Sequence, residues 1–142
     1  MRFSIEEMEA AFTEINEHAN PKLAFLGALS GSLPAIAVYF LFMEMGGLLL
    51  IMLFLSPLII GYFARFVGRT YKVKHRISVG VIGALVYIIG CILLGLGPLY
   101  YLLVPVAFGV AMTTAKIKLY RVHEWAIEWE ENGKLFKNKS AE

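Results

Sequence analysis

The sequence predicts an all-α integral membrane protein: four transmembrane helices as two hairpins, with amphipathic helices on the cytoplasmic side at both chain ends. Three observations carry that expectation. The 142-residue chain is 58% hydrophobic and only 17% charged, whereas a soluble domain runs nearer half apolar and a quarter charged. Its apolar residues fall in three charge-free blocks, 23–43, 45–64 and 77–115. All 13 Lys and Arg residues avoid the two turns that the hairpins need.

Each block is at least as long as the roughly 20 residues that cross a hydrocarbon core. The third is too long to be one span, since its residues would reach about 58 Å at 1.5 Å each. Gly95-Leu96-Gly97-Pro98 supplies a break near its middle, where Gly and Pro punctuate helices. Glu44-Met45-Gly46-Gly47 is the other turn. The expected spans are therefore about 23–43, 47–67, 77–96 and 99–116 within a membrane domain of 21–116, flanked by 1–20 and 117–142.

The cations set the orientation. Arg2 and Lys22 precede the first span, Arg65, Arg69, Lys72, Lys74 and Arg76 lie between the second and third, and Lys116, Lys118, Arg121, Lys134, Lys137 and Lys139 follow the fourth. Loops rich in Lys and Arg stay cytoplasmic, so both termini and the central loop are expected inside. An acidic, amphipathic N-terminus does not read as a cleavable signal. The five cations of the central loop are also candidate contacts for anionic lipid head groups, each worth about 1 kcal/mol near the surface. A nucleic-acid partner is not expected.

Small residues mark where helices in lipid approach closely. Gly27 and Gly31 form such a pair in the first span, Gly80 and Ala84 in the third, and Ala107 and Ala111 in the fourth, with Gly109 and Thr113 on a neighbouring stripe. Pro34, Pro57 and Pro105 interrupt backbone hydrogen bonding, which Ser30, Ser32, Ser56 and Thr113 are placed to repair.

At the N-terminus, Ser4 and Glu7 have the spacing of a capping box. Ile5, Met8, Phe12 and Ile15 then recur as an apolar seam that ends before Asn20-Pro21. Leu119, Val122, Ala126 and Trp129 form a matching seam that Gly133 closes. Two such helices on one side of a membrane either pair, within or between chains, or the second lies in the head-group plane with Trp125 and Trp129 dipped into lipid.

Gly61-Tyr62-x-x-Arg65-x-x-Gly68-Arg69, a short basic link, and the apolar run over 79–95 that ends Gly90-Cys91-Ile92-Leu93-Leu94-Gly95 resemble a family of small bacterial multi-span membrane proteins. That family carries a G-x-x-x-R-x-x-G-[KR] element, a short link and a span ending near G-C-x-L-G. The resemblance covers 61–95 and implies a bacterial inner membrane; it carries over no functional residue.

Chemistry is sparse. The chain has no Asp, and its three histidines, His18, His75 and His123, stand at no metal-ligand spacing. No nucleophile motif or phosphate loop occurs, so neither an enzyme, a metal nor a cofactor is expected. Apart from Arg65, and Lys116 at the last position of the fourth, the spans hold no Asp, Glu, His, Lys or Arg, which argues against ion-coupled transport. Three functions remain: an accessory or scaffold subunit of a membrane assembly, a small homo-oligomeric pore with Glu44 at its mouth and Ser30, Ser56, Tyr87 and Thr113 lining it, or an organiser of anionic lipid. The first is favoured, because the polar features gather at the cytoplasmic edge. The partners expected are the bilayer and another protein or a second copy of the chain.

Overall fold

The computed structural model describes residues 3–43 and 49–135. Six α-helices and no strand occur among them. They are α1 (Ile5–His18), α2 (Pro21–Phe42), α3 (Leu49–Gly68), α4 (Val73–Leu93), α5 (Val104–Thr114) and α6 (Arg121–Glu131), with a 3-10 helix over Pro98–Leu103. Two are long and apolar enough to cross a membrane, over Pro21–Leu41 and Val73–Leu93; the apolar helical stretches Leu53–Gly68 and Pro98–Thr114 are shorter. The turn expected at 44–47, with Glu44, lies outside the described residues.

The chain divides into two compact units, one of Met1–Ala19 with Lys118–Glu142 and one of Asn20–Ile117. In the first, the capping box closes the start of α1: Glu7 N–H donates to Ser4 Oγ at 3.1 Å, and Ser4 N–H donates to Glu7 Oε2 at 2.9 Å. α1 buries Met8, Ala11, Phe12 and Ile15. Met8 and Phe12 pack with Ala126 and Leu135, and Phe3, Val122, Ile127 and Trp129 close around them. The terminal helices therefore pair within one chain.

Two members of the expected seams fall elsewhere. Ile5 sits in the first turn of α1, 45% exposed, and Ala11 joins the buried stripe instead. Leu119 precedes α6, because Tyr120 is extended (φ −79°, ψ 161°) and the helix starts at Arg121. The end of α6 follows the pattern: Gly133 takes φ +64°, its N–H donates to Glu130 O at 2.9 Å, and Lys134 N–H donates to Trp129 O at 2.9 Å. This pairing closes the last turn as a Schellman motif, which favours glycine at the left-handed position.

The second unit is built from α2 to α5. Three close approaches fix α2 and α3 as antiparallel. Gly27 faces Phe63, Ala64 and Val67; Gly31 faces Ile60 and Phe63; Gly68 meets Ala24. α4 and α5 run antiparallel likewise, with Gly80 against Phe108 and Met112 and Gly83 against Ala111. α3 joins the two pairs where Gly61 meets Ala111, Thr114 and Ala115, and α2 meets α4 where the Tyr39 ring lies on Gly90.

Between α4 and the 3-10 helix the break forms as expected. Gly95 has φ +61°, its N–H donates to Ile92 O at 3.1 Å, and Leu96 N–H donates to Cys91 O at 3.0 Å. The stretch expected as one helix over 99–116 divides in two. Pro105 has no N–H to reach Tyr101 O four residues back. Val104 N–H bonds that carbonyl instead, at 3-10 spacing.

Candidate functional site

The antiparallel packing brings four helix ends to one level: the start of α2, the end of α3, the start of α4 and the end of α5. Lys22, Arg65, Arg69, Lys72, Lys74, Arg76 and Lys116 all sit at or beside those ends. Glu44 is the only acidic residue between Asn20 and Ile117. It belongs to the connection at the other end of α3, a helix about 30 Å long at 1.5 Å per residue. Among the described residues of Asn20–Ile117 none is acidic, so no described acid of this unit meets its cationic end.

Backbone and side-chain bonds tie this end together. Asn20 N–H donates to Gly68 O at 3.0 Å, and Asn20 Oδ1 caps α2 by accepting from the N–H groups of Lys22 and Leu23 at 3.0 and 3.3 Å. Arg69, which follows α3, has φ +46°, a left-handed backbone that costs a side-chain-bearing residue about 1–2 kcal/mol. Lys72 is the N-cap of α4 and provides no side-chain cap, and the first turn of α4 holds no acid. Its ammonium stands 5.6 Å from the centre of the Tyr71 ring.

The five candidate head-group residues do not behave alike. Arg69, Lys72 and Lys74 are exposed and Arg65 is half-buried. Arg76 is buried, and its Nη1 donates to Met112 O at 3.0 Å. Met112 lies in the last turn of α5, whose final carbonyls have no helical N–H to accept from and carry the negative end of the helix dipole. The guanidinium of Arg76 is therefore spent on a neighbouring helix and is turned away from solvent. Charge alone marks Arg76 as one more loop cation; only its position facing α5 reveals the difference.

Three buried polar atoms in this segment have no hydrogen-bond partner: Thr70 Oγ1, His75 Nδ1 and Arg76 Nε. The one other such atom among the described residues is Tyr39 Oη.

The remaining sequence candidates are placed as follows. Gly27, Gly31, Gly80, Ala107 and Ala111 are buried between helices, and Ala84 is half-buried. Gly83, which sequence pairs with Tyr87 at the same spacing, is buried against Ala111, and Gly68 and Gly90 lie in equally tight contacts that the pairings chosen from sequence did not include. Gly61, Ala64 and Gly68, spaced by three and four, carried a readable signal for Gly68. Gly109 faces open space. Ser30 and Thr113 occupy exposed positions, whereas Ser56 and Tyr87 are buried, so the four hydroxyls share no face.

Nor do the hydroxyls repair the prolines. Ser30 donates to Gly27 O, Ser32 to Leu29 O and Thr113 to Gly109 O, each within its own helix. Ser56 donates across to Ala35 O at 3.0 Å, and Tyr87 to Tyr100 O at 3.1 Å. The single cysteine, Cys91, is buried beside them. No group of three or more His, Cys, Asp or Glu suited to a metal ion occurs among the described residues.

Comparison with protein-family models, with curated proteins and with solved structures returns no match.

Proposed function

We propose that Asn20–Ile117 is a four-span domain of a bacterial inner membrane with the cationic end facing the cytoplasm. On this reading the protein is a non-enzymatic accessory or scaffold subunit whose α1–α6 pair makes contacts on that side. One observation carries the membrane reading: alanines fill many of the helix contacts while many large apolar side chains face outward. Ala24, Ala28, Ala35, Ala107, Ala111 and Ala115 are 0% exposed, while Leu33, Leu99 and Leu102 are 73% and Phe66 is 74% exposed. In water the large side chains drive folding by leaving solvent. In lipid they gain nothing by turning inward, and small residues at the interfaces let backbones approach. Exposed large apolar residues occur on α2, α3, α4 and the 3-10–α5 segment, and contiguous exposed apolar surface marks an interaction or membrane-facing site.

The scaffold role rests on where polar chemistry is found. Of the hydroxyls considered as a pore lining, the buried Ser56 and Tyr87 are engaged with carbonyls while Ser30 and Thr113 are exposed, which supports no shared channel face. On the α1–α6 pair, by contrast, Trp125 is 42% exposed beside Glu124 and Glu128, and exposed aromatics of this kind anchor protein contacts.

Alkaline carbonate extraction tests the membrane reading: the chain is expected to stay with the lipid pellet, and its release into the supernatant would falsify it. For orientation, a thiol at position 73 is expected to react with impermeant reagent only from the cytoplasmic side, and one at position 46 only from outside. For the scaffold role, extraction in mild detergent is expected to yield a stoichiometric assembly that Trp125→Glu disperses. A chain that leaves the membrane alone and monodisperse would refute it.

A further inference from the structure

We infer that the Arg69–Arg76 segment is a phosphate site, formed by the N-terminus of α4, the exposed Lys72 and Lys74 and the Thr70 hydroxyl, and that its ligand is the phosphate of an anionic phospholipid. The lipid source rests on the membrane reading above; the phosphate chemistry does not.

Two independent observations carry it. The first is an uncompensated positive terminus. Helix N-termini present unbonded N–H groups and partial positive charge, and proteins ordinarily meet both with a Ser, Thr, Asp or Asn cap or with acids in the first turn. α4 has neither: Lys72 occupies the cap without a side-chain bond, and no acid follows. Cations at 69, 72, 74 and 76 add to the same field, and no described residue of the unit is acidic. A terminus built this way binds phosphate without further specialisation.

The second is the unsatisfied polar atoms. Among the described residues, three of the four buried side-chain polar atoms without a partner fall within 70–76. A buried polar atom left unbonded costs about 1–3 kcal/mol, and such atoms usually have a water or ligand as their partner. Thr70 is fully buried and stands two residues before the cap, so its Cα lies within about 7 Å of that of Lys72. Its Oγ1 has a proton to donate to a phosphate oxygen. Arg76 holds Met112 O through Nη1, which leaves Nε free while anchoring α4 to α5.

The test uses the full chain in mild detergent, with its melting temperature followed as short-chain phosphatidylglycerol, phosphatidylcholine or inorganic phosphate is added at constant ionic strength. Phosphatidylglycerol is expected to raise the melting temperature saturably and phosphatidylcholine to have little effect. Thr70→Val keeps the shape and removes one donor to a charged group, so it is expected to weaken apparent lipid affinity about tenfold. Lys72→Gln with Lys74→Gln is expected to abolish the shift. An equal shift with inorganic phosphate would keep the site and assign it to a soluble phosphate.

A Thr70→Val variant that melts like the parent without lipid and responds to it identically would reduce the effect to diffuse attraction and overturn the site. The absence of any saturable shift would do the same. Either result leaves carbonate extraction unchanged, so failure of the site and failure of the membrane reading are distinguishable.

Discussion

The tightest contact in the bundle makes a sharp demand on one atom. A Cβ added to Gly68 would stand 2.3 Å from both Cα and Cβ of Ala24 and 2.5 Å from its N. Carbon atoms rest about 3.5–4.0 Å apart, so α2 and α3 must part by more than about 1 Å. Two of those neighbours are backbone, which no rotamer change moves aside. Overpacking of this kind costs about 1–3 kcal/mol. Separation also stretches the Asn20 N–H bond to Gly68 O from 3.0 Å, a loss of about 1 kcal/mol. Gly68→Ala should therefore destabilise by about 2–4 kcal/mol, lowering the melting temperature by about 10 °C or more at the sensitivity of domains this size. Gly109→Ala is the internal control. Its added methyl meets nothing within 4 Å, and helix propensity favours alanine by up to about 1 kcal/mol. The assay is helical circular dichroism against temperature in one detergent at one scan rate. If Gly68→Ala melts no lower than Gly109→Ala, the packing of α2 against α3 described above is wrong.

Further outcomes follow from other contacts. Arg76→Leu should cost about 1.5–3 kcal/mol by leaving the last turn of α5 without its charged donor, whereas Lys74→Leu at an exposed position should stay within about 0.5 kcal/mol; paired melts decide. Ser56→Ala removes a buried interhelical bond and should cost about 0.6 kcal/mol, the average for such bonds within membrane proteins. In the terminal pair, Met8→Ala should cost about 2–5 kcal/mol as a core truncation, while Ile5→Ala, at a largely exposed position, should be near neutral; the fluorescence of Trp125 and Trp129 during denaturant unfolding separates them. Gly133→Ala should lose about 1 kcal/mol at its positive φ, seen as earlier proteolytic cleavage after α6.

The helix ends were legible because each is governed by local chemistry. Ser4 with Glu7, Asn20 before Pro21, and the glycines at 95 and 133 each satisfy or break a few neighbouring backbone groups, and that can be read within six residues. The contacts between helices were legible only in kind. Small residues announce that something will come close, yet Gly61 and Gly109, each four residues after a proline, differ completely: one touches the end of α5 and the other faces outward. Which face of a helix meets which neighbour is a long-range property, and a uniformly apolar span carries little amphipathic bias to reveal it. The same limit hid the role of Arg76. A run of cations reads alike whether its members meet water, head groups or the carbonyl end of a helix seen 36 residues later in the chain. Thr70 gave no signal at all, since a lone threonine in a basic loop has no pattern.

Cys91, sealed beside Tyr87, leaves the described surface free of native thiols. Maleimide probes can then be written onto the molecule one site at a time, against a silent background and without first engineering a cysteine out. Spin labels or fluorophore pairs placed at the ends of α2 and α4 would report depth and separation directly. A label that did appear on Cys91 would be a reporter of its own, marking the moment the helices come apart.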